Sequence, residues 1–290
     1  MSAPPPVEVE RGDGPLVLGI PHAGTWLPDD VAARLADRGR ALADTDWHVD
    51  TLYGWLPIES DERARFDPEA QAWVPRATTV RAAFHRYVVD ANRDPSGASL
   101  YPGQNTTGLV PLTDFDGQPI WDVLPEAAEV EARRAAFHAP YHAALEAEMA
   151  RVRAAHGVAV LFDCHSIRSV VPYLFEGRLP DLNIGTDGGR TCDPRIEAAV
   201  VEECRAAEGY TSVLNGRFRG GWTTRHYGRP AEGWHAVQME LAQATYLAEE
   251  APPWTYDPVQ AGSIIPHLRR ILAALEALAP VLAAETKGTP

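Results

Sequence analysis

The sequence lacks the long apolar runs and paired cysteines that mark several large classes of protein. No stretch approaches the ~20 apolar residues that a membrane-spanning helix needs, and the N-terminus has no basic segment followed by an apolar run. The cysteines Cys164, Cys192 and Cys204 form no C-x-x-C pair, so we expect neither a structural disulfide nor a cysteine metal site. We expect a cytoplasmic protein that does not contact the membrane.

Positive charge is also scarce. The chain has 26 Lys and Arg against 40 Asp and Glu, a formal net charge of −14. Such a surface repels a polyanion, and no cluster of basic and aromatic residues offsets it, so nucleic acid is not an expected partner. A small anionic substrate remains possible, because a few arginines in a cleft set the local potential.

The chain is long enough to bury a sizeable core. Its 290 residues are 45% hydrophobic and 23% charged, and no internal repeat divides them, so we predict a single domain over residues 1–290 with its core at about 12–285. Apolar runs predict strands at 15–20, 86–91, 158–162, 182–185 and 236–241, and helical patterns lie at 29–38, 46–56, 125–156, 194–207 and 259–284. This alternation predicts an α/β domain with a mostly parallel or mixed sheet. Residues 96–119 are rich in Gly, Pro, Thr and Asn and are either a lid over a substrate or a surface loop.

Polar residues follow the predicted strands at the ends where ligands bind in open α/β sheets. They are His22, Asn92, Arg93, Asp163, His165 and Glu240. Two histidines, a nearby carboxylate such as Asp46 and a separate glutamate match the ligands and base of a hydrolytic zinc site with an open fourth position. For His22 taken alone, a hydrogen-bonded turn residue is the alternative.

Two groups of carboxylates have competing interpretations. Asp44 and Asp46 precede a predicted helix, so they either cap it or supply a metal ligand. Glu240 lies in an apolar run, where burial without a cationic partner would raise its pKa and suit it to general base catalysis. An outward-facing residue or a salt bridge is the alternative for Glu240.

Several short motifs together resemble the N-formylglutamate amidohydrolase family, also called N-formylglutamate deformylases. They are residues 21–24 (PHAG), 44–46 (DTD), 92–94 (NRD), 163–166 (DCHS), 225–228 (RHYG) and 238–240 (QME), in family order. That family is similar to zinc carboxypeptidases and aspartoacylases, which implies a three-layer α/β/α domain around a mixed sheet. The resemblance implies metal-dependent hydrolysis of N-formyl-L-glutamate to formate and L-glutamate, the last step of one route of histidine degradation.

The resemblance also implies a metal site. His22 and His165 become ligands of one divalent ion, with Zn²⁺ expected. In the carboxypeptidase pattern the acidic ligand comes three residues after the first histidine, but Thr25 is found there. We therefore assign the third ligand to Asp46, with Asp44 as the fallback, and Glu240 becomes the general base.

Further residues are implied to bind the substrate, a small N-acyl acidic amino acid. Asn92 and Arg93 resemble the pair that holds a substrate carboxylate, and the planar fork of arginine suits that role. Arg86 resembles an arginine that stabilises the oxyanion, with a surface ion pair as the alternative. The glycine-rich loop 217–228 supplies Arg225 and Tyr227 and either closes over a dicarboxylate or is a structural basic turn.

Two other functions stay open at this point. One is deacylation of another N-acyl amino acid or a small peptide, because such a site defines the reaction better than the acyl group. The other is a non-catalytic protein that keeps the carboxylate pocket without the metal. The oligomeric state is not predicted.

Overall fold

The protein is built around a mixed seven-stranded sheet in the computed structural model, which describes residues 3–54, 66–67, 72–73, 76–98 and 106–286. The strands are β1 (Val7–Glu10), β2 (Leu16–Ile20), β3 (Phe66–Asp67), β4 (Ala72–Trp73), β5 (Thr78–Ala82), β6 (Ala159–Ile167), β7 (Leu182–Gly185), β8 (Ser212–Leu214) and β9 (Trp234–Ala242). The sheet order is β1-β5-β2-β6-β9-β7-β8, and β3 and β4 pair separately. Strands β5, β2, β6 and β9 are parallel to one another. Strand β1 runs antiparallel to β5, and β7 runs antiparallel to β9 but parallel to β8.

Helices cover both faces of the sheet. They are α1 (Asp29–Ala32), α2 (Asp37–Arg40), α3 (Val49–Leu52), α4 (Ala127–Arg133), α5 (Ala139–His156), α6 (Pro194–Ala206), α7 (Trp222–Tyr227) and α8 (Pro258–Thr286), with a π-helical turn at Arg134–His138 between α4 and α5. Within the described ranges, none of these helices combines the length and apolar character needed to cross a bilayer.

The alternation of side chains along β6 separates two core layers. Leu161 packs with Leu145 and Met149 of α5, whereas Phe162 packs with residues of α6 and α8 such as Ile196 and Leu268. Successive strand side chains point to opposite faces, so each helical layer has its own apolar partner. The predicted α/β/α architecture is confirmed.

One predicted strand is wrong. Residues 86–91 form buried turns, and the strand beside β2 is β5, at Thr78–Ala82. The apolar run is buried because Tyr87, Val88 and Val89 fill the core under α5, not because it pairs in a sheet. Its Asp90 side chain accepts the backbone N–H of Asn92 at 2.8 Å, a local bond that favours a turn.

Other boundaries shift in ways that matter for the site. Strand β6 continues to Ile167, so Asp163 and His165 lie within it, not beyond its end. The predicted helix at 29–38 is divided into α1 and α2, and the helical pattern at 46–56 gives only α3 among the described residues. Of the predicted loop 96–119, residues 99–105 lie outside the described part of the chain.

Candidate active site

The polar residues of the central strands lie on one face of the sheet, near its carboxyl edge. In the β6 and β9 register His165 is opposite Glu240 and Asp163 is opposite Gln238, and Gly19 of β2 is opposite Asp163. Positions two residues apart on a strand share a face. The side chains of Asp163 and His165 on β6 and of Gln238 and Glu240 on β9 therefore lie on the side of the sheet that α5 covers. Regular strand geometry thus brings together residues that are far apart in sequence.

Two histidines and one aspartate bring three ligand atoms close together. His22 Nδ1 lies 3.2 Å from His165 Nδ1, His165 Nδ1 lies 3.1 Å from Asp46 Oδ2, and His22 Nδ1 lies 3.7 Å from the same oxygen. Ligands ~2.0–2.1 Å from a tetrahedral zinc ion are separated by roughly 3.3 Å, so this triangle has the right size for such an ion. All three residues are buried, and His22, Asp46 and His165 form a possible metal-binding group.

The far ring nitrogens of both histidines contact carboxylates. His22 Nε2 lies 2.7 Å from Asp90 Oδ1, and His165 Nε2 lies 3.2 Å from Asp163 Oδ1. If Nδ1 of each ring binds a cation, Nε2 carries the proton, and His22 can donate it to Asp90, which is the usual support of a metal-binding histidine. His165 Nε2 also lies 3.1 Å from Asn92 Nδ2. The donor set therefore fits a divalent cation beyond the three ligand atoms themselves.

Asp44 is not part of this triangle. Both of its carboxylate oxygens accept the backbone N–H of Phe115, at 3.0 and 3.2 Å. Burial raises the pKa of Asp44 to about 7, against the opposing effect of the Arg86 charge. The geometry thus favours Asp46, whose Oδ2 also accepts the backbone N–H of Ser166 at 3.1 Å, and gives Asp44 a structural role.

Glu240 is buried and lines the same cavity as the histidines. Its Oε2 accepts a hydrogen bond from Gln238 Nε2 at 2.8 Å. Burial raises the pKa of Glu240 to about 7, although the charge of His165 lowers it. A carboxyl group with this pKa can take up and release a proton near neutral pH.

Arg86 is buried among the carboxylates that surround the histidines. Its Nη1 donates to Asp44 O at 3.2 Å and to Asp46 Oδ1 at 3.4 Å, and its Nη2 donates to Asp90 Oδ2 at 3.1 Å. A surface ion pair is therefore the wrong description of Arg86. Its guanidinium also lines the cavity, and its role at an oxyanion remains a prediction.

The Asn92–Arg93 pair also reaches the cavity. Asn92 Oδ1 accepts the backbone N–H of Thr223 at 2.9 Å, at the start of α7. Arg93 donates from Nε to Thr107 O and from Nη2 to Thr107 Oγ1, both at 2.9 Å. The Arg93 side chain is 23% exposed, so it is accessible to solvent as well as lining the cavity.

Two predicted substrate contacts lie elsewhere. Among the described residues, those lining the cavity do not include Arg225 or Tyr227. Arg225 donates from Nε to Gly220 O at 3.0 Å and lies 3.3 Å from Asp187. Tyr227 is buried with its ring stacked on Trp234. The loop instead contributes Arg217, Phe218 and Gly221 to the cavity.

The cavity has a volume of about 220 Å³ and both polar and apolar lining residues. The polar lining includes the histidines, Glu240 and the arginines. The apolar lining is formed by Phe115, Ile167, Leu174 and Phe218, which belong to a small separate core cluster. The arrangement suits a small ligand that combines charged groups with a short aliphatic chain.

Some site residues were missed by sequence reasoning. Asp90 closes the apolar run at 86–91, the same signal that identified Glu240, and Gln238 is two residues before Glu240 on the same strand face. In Asp90, burial opposes ionisation but the charges of Arg93, His22 and Arg86 outweigh it and hold its pKa well below the usual value. Thr107, Phe115 and Tyr173 reach the cavity from irregular segments that have no periodic pattern.

Comparisons with known proteins agree with this geometry. The model of the family described as N-formylglutamate amidohydrolase matches residues 14–247. The chain is 47% identical over 245 residues to an N-formylglutamate deformylase of Pseudomonas aeruginosa, covering 84% of this chain and 86% of that protein. It is 42% identical over 269 residues to an N-formylglutamate deformylase of Pseudomonas putida, covering 91% and 93%.

Solved structures share the fold. The crystal structure of an N-formylglutamate amidohydrolase from Ralstonia eutropha matches with a TM-score of 0.72 and 26% identity, covering 93% of this chain and 97% of that one. A gene product of Agrobacterium tumefaciens matches with a TM-score of 0.66 and 21% identity, covering 94% and 95%. The second similarity extends to the fold alone.

Proposed function

The chain belongs to the N-formylglutamate amidohydrolase family, and on that premise we propose that it hydrolyses N-formyl-L-glutamate to formate and L-glutamate with one divalent cation. The observation that carries the proposal is the triangle of His22, Asp46 and His165 in the same cavity as Glu240. A triangle of metal ligands and a nearby carboxyl group that can carry a proton are the two parts that metal-assisted hydrolysis of a formamide uses.

In this proposal His22, Asp46 and His165 hold the cation, and zinc is the ion that two nitrogens and one carboxylate suit best. When bound, the cation supplies Lewis acid chemistry, both stabilising negative charge on a carbonyl oxygen and making water acidic enough to attack. Asp90 keeps the His22 ring in the required tautomer through its hydrogen bond with Nε2. Asp163 Oδ1 lies 3.2 Å from His165 Nε2 and balances the charge of that ring.

Glu240 transfers the proton. Its carboxylate accepts a proton from the attacking water while the water oxygen forms a bond to the formyl carbon. The carbon–nitrogen bond then breaks, and Glu240 returns the proton to the leaving nitrogen. The hydrogen bond from Gln238 to Glu240 Oε2 holds the carboxyl group in place through both transfers.

The substrate carries two carboxylates, and the cavity offers arginines to receive them. Arg93 and Asn92 bind one carboxylate, and Arg217 lies in the same cavity wall. The apolar side next to Phe115 and Leu174 accommodates the methylene groups. Arg86 stabilises the developing oxyanion from its position beside Asp46.

Formate release by the purified protein tests the proposal, and a panel of amides tests the specificity. We expect turnover of N-formyl-L-glutamate, much slower turnover of N-acetyl-L-glutamate, which has a larger acyl group, and slow turnover of N-formyl-L-alanine, which lacks the second carboxylate. Preference for N-acetyl-L-glutamate would favour a different deacylase. Binding of L-glutamate without turnover of any amide, in protein loaded with zinc, would favour a non-catalytic carboxylate-binding protein.

A further inference from the structure

Two histidines lie behind the Asn92–Arg93 pair and take no part in the proposed chemistry. His138 Nε2 lies 3.0 Å from Arg93 O, and His142 Nε2 lies 2.7 Å from Ala91 O. The histidines are four residues apart, at the end of the π-helical turn and the start of α5. They therefore contact the two carbonyl groups that flank Asn92 in sequence.

Both rings are neutral donors at physiological pH. Burial lowers the pKa of His142 to about 3 and also lowers the pKa of His138. A neutral imidazole has a single N–H, and a carbonyl group can only accept, so the N–H of each ring is on Nε2. The two contacts are hydrogen bonds from the rings to the backbone.

The other backbone groups of this turn are also bonded. Asn92 N donates to Asp90 Oδ1 at 2.8 Å and Arg93 N donates to Asp90 O at 3.2 Å. Asp90 in turn contacts His22. The histidine pair thus bonds to the backbone on either side of Asn92, while Asp90 in the same turn contacts the proposed metal ligand His22.

The rings are themselves held in place by α7. Trp222 packs against His142 with ring centroids 4.7 Å apart and against His138 at 5.6 Å. The Tyr227 hydroxyl donates to His142 O at 3.1 Å and lies 3.1 Å from His142 Nδ1. Tyr227, the tyrosine of the RHYG motif, does not line the cavity. It contacts His142, which in turn bonds to the backbone beside Asn92.

We propose that His138 and His142 are positioning residues that hold Asn92 and Arg93 in the geometry that binds the substrate carboxylate, with Tyr227 acting through His142. The inference rests on the proposed function for the identity of the ligand. Each ring donates to a different one of the two carbonyl groups that flank Asn92, so the pair fixes the backbone on both sides of this ligand-binding side chain. Losing either bond frees the turn and moves the fork of Arg93, and small displacements of such a clamp are costly.

A set of His142 variants separates positioning from packing. His142→Leu keeps the bulk and loses the donor, so we expect KM for N-formyl-L-glutamate and the Kd for L-glutamate by calorimetry to rise roughly 10-fold or more, with kcat and bound metal nearly unchanged. His142→Gln carries an amide N–H close to the position of Nε2 and should restore both constants to within a few-fold of the wild type. His142→Asn, whose amide is too short to reach Ala91 O, should not.

Tyr141→Phe is the matched control on the same helix. It removes a buried hydroxyl that has no hydrogen-bond partner among the described residues, and it should leave KM unchanged. If His142→Leu does not fold, the comparison of the Gln and Asn variants carries the test. Equal KM in Gln, Asn and wild type would overturn the proposal.

A double-mutant cycle with Arg93→Ala gives a second and independent readout. If His142 acts through Arg93, the His142→Leu change should have little further effect on kcat/KM or on L-glutamate affinity once Arg93 is gone. Additive losses would mean a general structural role and would contradict the proposal. A third outcome would overturn the proposed function alone: L-glutamate binds to the wild type and more weakly to His142→Leu, but the wild type releases no formate.

Discussion

Glu240 shows how one residue's surroundings prepare it for chemistry. Burial raises its pKa to about 7, and a bound cation nearby would lower that pKa again, because positive charge favours the ionised carboxylate. In protein that holds the proposed cation, we therefore expect Glu240 to be ionised at neutral pH and able to accept a proton. The same burial would make an idle charge at this position costly.

Replacing Glu240 tests this role directly. Glu240→Gln keeps the shape and can still accept the hydrogen bond from Gln238 through its amide oxygen, but it cannot accept a proton from water. We expect kcat to fall about 10²–10⁴-fold, with metal content and L-glutamate affinity retained. Lower thermal stability with nearly normal kcat in the folded fraction would mean that Glu240 is structural.

Asp44 provides a prediction about stability and pH. Its pKa is about 3.8 in an unfolded chain and about 7 in the folded protein, so the folded state binds more protons between these values. Its contribution to stability is complete below about pH 4 and is lost as the pH rises through about 7. Asp44→Asn removes this dependence.

Chemical unfolding at pH 5 and pH 8 measures the effect. The change in the free energy of unfolding from wild type to Asp44→Asn should be more stabilising at pH 8 than at pH 5. The changes at the two pH values should differ by on the order of 2 kcal/mol. The variant should keep its metal, because Asp44 bonds to Phe115 and is not in the ligand triangle, whereas Asp46→Asn should lose it. Metal loss from the Asp44 variant would restore the fallback ligand assignment.

At the scale of elements, the sequence predicted the strands that carry apolar runs but not where they end. The run at 158–162 indicated β6, yet the strand continues through Asp163 and His165 because their side chains find partners. Asp163 Oδ2 accepts from Thr224 Oγ1 at 2.9 Å, and His165 contacts Asp46. Polar residues look like the end of a strand only when those partners are unknown.

The strand predicted at 86–91 is wrong for the opposite reason. A run of apolar residues indicates burial, and burial alone does not distinguish a strand from a turn that fills the core. Two hydrogen bonds select the turn. The one from Asn92 N to Asp90 Oδ1 depends on local geometry, and the one from His142 Nε2 to Ala91 O depends on a distant helix. The site residues after this run were still identified, because Asn92 and Arg93 belong to a short motif.

The start of α7 supplies a prediction about an element. A Cβ atom at Gly221 would lie 2.3 Å from Asn92 Nδ2 and 2.5 Å from its Oδ1. Gly221→Ala must therefore displace either α7 or Asn92, and we expect a higher KM for N-formyl-L-glutamate with bound metal retained. Gly262→Ala is the control, since nothing lies within 4 Å of that Cβ position in the exposed part of α8.

The two glycine variants should also differ in stability. Alanine has the higher helix propensity, so Gly262→Ala should raise the free energy of unfolding by about 0.5–1 kcal/mol and leave KM unchanged. Measured KM values that are equal in both variants would show that α7 does not constrain Asn92. Thermal unfolding of each variant checks that the fold is retained.

At the scale of the whole molecule, the three-layer architecture could be predicted from the order of strands and helices and from the family motifs. The sheet brings His165 and Glu240 together by register alone. The apolar wall of the cavity could not be predicted, because Phe115, Ile167 and Phe218 come from separate segments that form a small cluster only in the folded chain. Substrate shape is therefore a property of the folded molecule, whereas the ligand types are visible in the sequence.

The net charge of −14 does not describe the local charge of the cavity. The acidic character belongs to the molecule as a whole, while Arg86, Arg93 and Arg217 line the cavity. The cavity therefore offers a small dianion a local group of positive charges within a molecule whose net charge is negative.

The most direct test of the central claim is formate release from N-formyl-L-glutamate by protein stripped with a chelator and then titrated with Zn²⁺. The account predicts no activity in the stripped protein and a rise that saturates at one equivalent of the ion, because His22, Asp46 and His165 form a single site. Stripped Asp46→Asn protein should not recover over the same titration. Full activity after chelation, or a requirement for two equivalents, would contradict the account.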